Sequence, residues 1–437
     1  MNTTCEKSSK NAGDEDRPFA ELMAAADETA GYQTTIWDEN QGRREALVIT
    51  MGDRIVDILP PDSLPDAVLK YKIKRTIDTG DMLLAPAFID LQINGCGGVT
   101  FTEEPTLEAL ESMVRTNHRS GTACHLPTLV TCSHETMTRA LEAMREFHRL
   151  YGKEAVPGIH LEGPFISDRK SGIHDRKHVR DLDDDTLKLL LDFRDEIALM
   201  TVSPERLTQK QMEALKEAGI RLSIGHSALD YHQARPALDA YFTAATHLYN
   251  AMTTVIDART PGILAAAALS DLYGGIIADC RHVHPDLVRL ARRMFGRKLF
   301  LVTDALASAG AGSDFRQFRF SGKTVYVRDE GYCSDESGTL AGSSLTMNQG
   351  VKNLVRHCGV ELPDALAMAS KIPAQVLGLS DRGAIRPGMR ADFAILDENF
   401  QVDETVFGGR TVYVRSVSAR CSSACRQYAP PTVSRSL

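Results

Sequence analysis

The sequence predicts an α/β fold: a TIM-like (β/α)8 barrel with a small β-sandwich domain formed by both chain ends. Three observations support this prediction. Short apolar runs alternate with helical stretches through the centre of the chain, strand-like segments flank that centre on both sides, and polar residues stand where the apolar runs end. Apolar runs that alternate with helices are typical of parallel β/α architecture, in which the strand C-termini form the functional face.

Eight apolar runs of the central region have the length and composition of buried parallel strands. They are residues 82–91, 122–130, 155–161, 197–202, 220–225, 242–247, 274–279 and 298–303. Helical stretches lie between most of them, and Gly219 would end the helix before the fifth run. Eight strands with interposed crossovers match the barrel. A doubly wound open sheet has the same alternation, so periodicity leaves that alternative open.

The segments before and after this region have the pattern of antiparallel strands. Residues 46–59 predict a hairpin around Gly52-Asp53, and residues 391–414 are strand-rich with a turn at Gly408-Gly409. We therefore predict a flexible tail over 1–32 and a small β-sandwich domain over 33–83 and 385–415. The barrel would take 84–384, and a second flexible tail would take 416–437.

Composition limits the class of protein. The 437 residues are 43% hydrophobic and 25% charged, which is ordinary for a soluble globular enzyme, and the net charge of −8 argues against a nucleic-acid partner. Nine scattered cysteines, an odd number, predict free thiols in a reducing compartment. No apolar run has membrane-spanning length and the N-terminus has no hydrophobic signal core, so we predict a cytoplasmic protein with no membrane partner.

Six polar residues share one position, just past an apolar run: Gln92, Asn94, Glu162, His226, His247 and Asp304. In a closed barrel they would converge on one face. Imidazole and carboxylate groups bind zinc and other divalent metals. Taken singly, a histidine here is better explained as a core or surface residue and Asp304 as a helix cap. The common position of the two histidines favours metal ligands, and the sharp turn at Gly163-Pro164 favours a functional role for Glu162. His160 faces the same side as Glu162, so it either orients a ligand or packs in the core.

Several longer motifs carry a resemblance to a known family. The motifs are PAFIDLQINGCGGVTF, GIHLEGPFIS, KSGIH, SIGHS, ATHLYNAM, GIIADCRHVH, LVTDA and LAGSSLTM, spread from about residue 84 to 347. Together they resemble the N-acetylglucosamine-6-phosphate deacetylase family of the amidohydrolase superfamily. The resemblance implies metal-dependent hydrolysis of the N-acetyl group of N-acetyl-D-glucosamine 6-phosphate to D-glucosamine 6-phosphate and acetate, in amino-sugar catabolism.

Two alternatives stand beside this activity. The first is another amidohydrolase that acts on a cyclic amide or an unphosphorylated N-acetyl sugar. The second is a catalytically inactive barrel, because a fold alone does not give a function. The presence of Glu162, both histidines and Asp304 argues against an inactive barrel.

The resemblance also implies roles for the site residues. Glu162, His226 and His247 would hold one divalent metal ion per subunit, zinc first, with iron(II), cobalt(II) or manganese(II) as alternatives. Asp304 would move the proton, and His174 would stabilise the oxyanion.

The first strand carries a departure from the superfamily pattern. Gln92 and Asn94 replace its His-x-His pair, and amides are weaker metal ligands than imidazoles. We therefore expect a vestigial second-metal position and a centre with one metal ion.

The substrate contacts implied by the resemblance lie on four segments: Asn250, Ala251, Arg259, His282, Leu340, Ala341 and Gly342. Arg259 and His282 would hold the substrate and its phosphate, one of them reaching in from the second subunit of a homodimer. Arginine suits this task because its planar fork binds phosphate in a bidentate way. The segment 253–258 is one residue longer than the family pattern, and Ala341 replaces a serine.

Overall fold

The computed structural model describes residues 17–38, 42–328 and 332–416. Its centre is a sheet of eight parallel strands whose spatial order follows the chain. This sequential order is that of a barrel and excludes the doubly wound sheet, which reverses at a switch point. The strands are Phe88–Ile93, Thr122–Val130, Ile159–Glu162, Ile197–Val202, Arg221–Ile224, Phe242–Ala245, Tyr273–Ile277 and Leu299–Val302.

The first and eighth strands meet just beyond their ends and bring the barrel to closure. Ile93 forms a parallel bridge with Ala305. The backbone N–H of Asp304 donates to the carbonyl of Gln92 at 2.9 Å. The residues that close the barrel therefore lie next to the predicted site residues of both strands.

Helices follow the barrel strands on the outside. They are Leu107–His118, His134–Tyr151, Asp184–Asp192, Gln209–Glu217, Tyr231–Tyr241, Ile263–Leu269, Pro285–Phe295 and Met347–Arg356. Two of them begin with reciprocal capping boxes, Thr208 with Gln211 and Asp230 with Gln233, which satisfy backbone donors that a helix start leaves open. Gly219 has a φ of +84° directly after the fourth helix, which confirms its predicted role at that helix end.

Strands from both chain ends form one continuous seven-stranded sheet, which confirms the small β domain. In spatial order the strands are Arg410–Val414, Val402–Phe407, Phe393–Leu396, Arg75–Pro86, Thr29–Asp38, Gly42–Met51 and Arg54–Leu59, and the helix Leu64–Tyr71 follows the last of them. The predicted hairpin pairs in antiparallel register from Leu47 with Leu59 to Met51 with Arg54. The exact domain limits remain our proposal.

The first predicted barrel strand, 82–91, is two strands in the structure. Residues up to Pro86 belong to the seven-stranded sheet, and the barrel strand begins at Phe88. The backbone shows the switch, because Ala87 donates to the carbonyl of Asp392 at 3.0 Å whereas Phe88 donates to that of Gly121 at 2.8 Å. The apolar run is continuous because the chain is buried in both sheets.

The predicted N-terminal tail is wrong for residues 17–32. Residues Phe19–Met23 form a helix whose Phe19 and Leu22 side chains are buried. The Phe19 ring packs at 4.8 Å from Tyr151 and 6.1 Å from Phe147, both on the second outer helix. Two apolar residues three positions apart are enough to dock this short helix. Residues 1–16, and the C-terminal segment after Ser416, lie outside the described residues.

The chain between the eighth strand and the last barrel helices adds an antiparallel sheet. It consists of Gln317–Phe320, Lys323–Val327, Tyr332–Asp335 and Leu340–Ser343. The helices Leu362–Ala369 and Lys371–Leu377 and the paired short strands Gly95–Cys96 with Val99–Thr100 and Val255–Asp257 with Thr260–Pro261 complete the fold. Among the described residues, no helix combines the length and the apolar character needed to cross a membrane.

Candidate active site

A carboxylate and two imidazoles meet at the C-terminal end of the barrel. Glu162 is the last residue of the third strand, and His226 and His247 each stand two residues beyond a strand. The Nε2 atoms of His226 and His247 are 3.0 Å apart and lie 3.1 and 2.9 Å from Glu162 Oε1. All three side chains are buried, and within the described ranges they form the one cluster of potential metal ligands. The predicted ligand set is thus brought together.

The backbone adopts left-handed conformations just beyond these strand ends, at the mouth of the barrel. His226, His247 and Asp304 have φ values of 49°, 28° and 48°. Such conformations are uncommon for residues other than glycine and cost of order 1–3 kcal/mol each. Three of them beyond strand ends of the same barrel face indicate that the fold holds these side chains at a functional site.

The ligand atoms have the chemistry of a cation site. His226 Nδ1 lies 2.8 Å from the carbonyl oxygen of Lys170, so Nδ1 carries the proton and Nε2 directs its lone pair at the centre. Burial alone would raise the pKa of Glu162, but both histidines overcome this and hold it well below its ordinary value. One glutamate and two histidines fit a divalent metal and leave a position open, as catalytic sites do.

Asp304 stands two residues beyond the eighth barrel strand. Its Oδ1 atom accepts hydrogen bonds from Asn94 Nδ2 at 2.7 Å and Gln92 Nε2 at 3.2 Å. Burial, and then the negative charge of Glu162, raise the pKa of Asp304 to about 7. A carboxyl group near neutrality can both accept and return a proton.

The amides on the first strand donate hydrogen bonds to carboxylates. Gln92 Nε2 also donates to Glu162 Oε1 at 3.1 Å. The buried Oδ1 atom of Asn94 has no hydrogen-bond partner within the described part of the chain. The pair therefore orients Glu162 and Asp304, a role that the expectation of a vestigial metal position did not include.

Two further histidines near the centre have different environments. His174 Nδ1 lies 2.8 Å from the Thr131 hydroxyl, and the His174 ring packs 4.4 Å from that of His226. Burial, and then the charge of His226, lower the pKa of His174 to about 3, so its ring is neutral. His160 contacts the Leu91 carbonyl and the Thr201 hydroxyl with its two nitrogens, which favours core packing.

A pocket of about 440 Å³ opens over the ligand cluster. Most of the predicted site residues line it: Asn94, Glu162, His174, His226, His247, Asn250, Ala251, His282, Asp304, Leu340, Ala341 and Gly342. A side chain at Gly342 would bring its Cβ within 2.3 Å of the Asp304 carbonyl, so only glycine lets this segment approach so closely. Arg259 does not line the pocket; it is exposed in the turn after Val255–Asp257.

Further residues of the pocket were not predicted: Val130, Arg169, Lys170, Gly172, Ile173, Phe320 and Thr339. Arg169 and Lys170 lie in the charged stretch that precedes His174, and their proximity in sequence to that histidine could have indicated them. Thr131, which contacts His174, directly follows the second barrel strand. It therefore shares the strand-end position that identified the other site residues.

His282 also lines the pocket. Its Nδ1 atom is 2.6 Å from Asp279 Oδ2, and its Nε2 atom is 2.9 Å from the carbonyl oxygen of Ala341. Burial alone would lower the pKa of His282, but Asp279 raises it to about 9. Because both nitrogens face acceptors, the ring is a cation at neutral pH.

This fold and site define a class of protein. A parallel barrel whose strand ends present one carboxylate, two imidazoles and a further proton-accepting aspartate is the architecture of a metal-dependent barrel hydrolase. A model of the amidohydrolase family matches residues 83–412. The chain belongs to the amidohydrolase family and groups with its N-acetylglucosamine-6-phosphate deacetylases.

Three relatives illustrate the similarity. The N-acetylglucosamine-6-phosphate deacetylase of Haemophilus influenzae is 37% identical over 368 residues, which are 84% of this chain and 94% of the relative. The N-acetylgalactosamine-6-phosphate deacetylase of a Shewanella species is 36% identical over 332 residues, 76% of this chain and 83% of the relative. A crystal structure of N-acetylglucosamine-6-phosphate deacetylase from Pasteurella multocida has 36% identity and a TM-score of 0.84, covering 89% of this chain and all of that chain.

Proposed function

We propose that this protein hydrolyses the N-acetyl group of N-acetyl-D-glucosamine 6-phosphate to D-glucosamine 6-phosphate and acetate, in amino-sugar catabolism. The observation that carries the proposal is the convergence of Glu162, His226 and His247 beside Asp304. It occurs in a chain 37% identical to a deacetylase of that specificity. The alternatives of a cyclic amide or an unphosphorylated sugar have no comparable support.

The metal centre is part of the proposal. Glu162, His226 and His247 hold one divalent cation, zinc in the first instance, with iron(II), cobalt(II) or manganese(II) as the other candidates. Such a cation, when bound, acts as a Lewis acid that activates water and polarises an amide carbonyl.

In this proposal, side chains of the protein accept and donate the protons. Asp304 takes a proton from the attacking water as it adds to the acetyl carbon, and returns it to the sugar nitrogen as the C–N bond breaks. Gln92 and Asn94 hold the Asp304 carboxylate through two hydrogen bonds while this happens. His174 donates from Nε2 to the developing oxyanion.

The phosphate group of the substrate is assigned to His282 and Arg259. His282 is a buried cation in the pocket wall, next to the segment Leu340–Ser343. Asn250, Ala251 and that segment are placed to contact the sugar ring. A phosphorylated substrate benefits from a fixed cation here, whereas an unphosphorylated sugar does not.

Acetate release from a panel of sugars tests the proposal. We expect turnover of N-acetyl-D-glucosamine 6-phosphate that disappears on chelation and returns with zinc, and far slower turnover of N-acetyl-D-glucosamine. Equal turnover of both sugars would contradict the phosphate assignment, and activity that survives chelation would contradict the metal centre.

One observation favours a second candidate substrate. A relative at 36% identity acts on the galactosamine epimer, which differs from the glucosamine compound in the configuration of one hydroxyl. N-acetyl-D-galactosamine 6-phosphate therefore belongs in the same panel. A higher kcat/KM for that epimer would assign this chain to the second specificity.

We also propose a homodimer in which Arg259 completes the phosphate site of the partner subunit. The helix Pro285–Phe295 exposes Leu287, Leu290 and Met294 on one face, as an apolar contact surface would. The Tyr249 hydroxyl donates to the Leu287 carbonyl at 3.1 Å, which ties this helix to the sugar-contacting segment.

A mixing experiment tests the shared site. Asp304→Asn and Arg259→Ala subunits are each impaired, but a mixed dimer would unite an intact Asp304 with an intact Arg259 across the interface. We expect activity to reappear on subunit exchange, with Asp304→Asn plus wild type as the control for exchange. No recovery in a proven mixed dimer would place Arg259 in its own subunit's site or outside the site.

We propose a cytoplasmic location. The six cysteines that the structure describes are all free thiols, as expected in a reducing compartment. Cell fractionation with the native chain tests this proposal, and recovery in an extracellular or membrane fraction would contradict it.

A further inference from the structure

The hydroxyl group of Thr131 is a buried donor with a single acceptor. The side chain is buried, and its Oγ1 atom lies 2.8 Å from His174 Nδ1. Across residues 17–38, 42–328 and 332–416 this hydroxyl has no other hydrogen-bond partner. A buried O–H that cannot reach water or another acceptor must donate to the one acceptor in range. Thr131 therefore donates to Nδ1 of His174.

The direction of this hydrogen bond decides which nitrogen of His174 carries the proton. A neutral imidazole has one N–H and one lone pair, and Nδ1 uses its lone pair to accept from Thr131. The proton must then sit on Nε2. His174 lines the pocket beside Glu162 and His226, and its Nε2 atom is the nitrogen left to face that pocket.

Three neighbouring features keep the hydroxyl and the ring in this arrangement. A Cβ added at Gly163 would lie 2.3 Å from Thr131 Oγ1, so only glycine leaves room for the threonine at this point. The His174 ring packs against that of His226 with 4.4 Å between centroids. The His174 backbone N–H is fixed as well, by a 3.1 Å hydrogen bond to the Ser171 carbonyl.

We infer that Thr131 is a positioning residue that holds His174 in the Nε2–H tautomer, so that the ring presents a neutral hydrogen-bond donor to the carbonyl oxygen of the substrate. This inference rests on the proposed function for its catalytic consequence. The donor is needed most when negative charge develops on that oxygen, so loss of the threonine hydroxyl lowers kcat with little effect on KM.

Nitrogen NMR of the zinc-loaded enzyme tests the tautomer without any turnover. Histidine-labelled protein gives signals from 13 histidines, and the signals that disappear in His174→Gln identify His174. We expect the protonated nitrogen of His174 to be Nε2 and the unprotonated one to be Nδ1. A proton on Nδ1 would overturn the inference even if the enzyme deacetylates its substrate as proposed.

Kinetics of Thr131 variants test the consequence. Thr131→Val should lower kcat about ten-fold, the effect of one hydrogen bond, with KM unchanged within about two-fold. Thr131→Ser restores the hydroxyl and should recover most of the loss. Thr405→Val is the matched control, because Thr405 is equally buried and donates to the His118 carbonyl at 2.6 Å, away from the pocket. That control should keep the wild-type kcat.

A double-mutant cycle separates positioning from simple structural support. In the His174→Gln background there is no tautomer to fix, so adding Thr131→Val should cost nothing further in kcat. The same loss in both backgrounds would overturn the inference. If Thr131→Val fails to fold, the NMR spectrum of the wild-type enzyme still tests the tautomer of His174. Absence of deacetylation by the wild type would refute the proposed function but not the tautomer.

Discussion

The barrel mouth and the seven-stranded sheet both bury charged groups, but they neutralise them differently. In the sheet, Arg390 lies 2.9 Å from Asp53 and 3.2 Å from Asp392, so each carboxylate has a guanidinium partner. At the mouth, within the part of the chain that the structure describes, Glu162 and Asp304 contact imidazole and amide nitrogens and no guanidinium group. Carboxylates without a permanent cation cost free energy unless a ligand supplies the charge.

The backbone conformation also differs between the seven-stranded sheet and the barrel mouth. In the sheet, the strand pair Thr29–Asp38 and Gly42–Met51 keeps a regular antiparallel register, from Thr29 with Met51 to Asp38 with Gly42. At the mouth, several residues beyond the strand ends have left-handed conformations, including Tyr249 and Ala251. Left-handed residues other than glycine occur at the mouth and not in the described residues of that strand pair, so backbone strain distinguishes the functional region from the structural one.

Removing the unpaired aspartate should have the largest effect. Asp304→Asn keeps the shape and the hydrogen-bonding capacity of the side chain but cannot accept the proton. We expect kcat to fall by about 10³-fold or more. Elemental analysis should find the same metal content, and calorimetry should find retained substrate binding. Loss of the metal would instead show that Asp304 is a metal ligand, as Glu162 is proposed to be, and not the group that transfers the proton.

Removing the paired arginine should affect stability and leave catalysis intact. Arg390→Met removes the guanidinium partner of the buried Asp392 and should lower the free energy of unfolding by about 3 kcal/mol. Asp53 keeps Arg54 at 3.5 Å. Denaturant titration measures this loss, and kcat of the folded enzyme should equal that of wild type. The control is Arg386→Met, in the same segment, because Arg386 makes no ion pair with another described residue. A lower kcat in Arg390→Met would show that the two regions are coupled.

Sequence patterns predicted the barrel well because its strands are locally recognisable. The runs 122–130 and 197–202 have the same limits in the structure, since glycine or polar residues bound each buried strand. The run 82–91 gave no sign that the chain passes from one sheet to another after Pro86. Both sheets are buried there, and hydropathy does not distinguish one buried environment from another. Closure depends on contacts between residues more than two hundred positions apart, and the short helix Phe19–Met23 depends on docking against the second outer helix.

The predicted site had similar limits. Strand-end positions identified Glu162, His226, His247 and Asp304 because topology alone makes such residues converge. An amide can donate or accept, so the sequence could not show that Asn94 donates to Asp304. Thr131 was missed because a threonine after a strand is common and gains meaning only from its contact with His174.

His282 lies at the barrel mouth, but a carboxylate compensates its charge, as in the ion pairs of the seven-stranded sheet. Asp279 raises its pKa to about 9, so the imidazolium persists below that pH and is lost as the pH rises through it. We expect KM for the phosphorylated sugar to rise roughly ten-fold between pH 8 and 10, because the neutral ring cannot attract phosphate. In Asp279→Asn the same rise should begin at lower pH. A KM without pH dependence in both enzymes would separate His282 from the phosphate and leave it a structural pair, equivalent to those of the sheet.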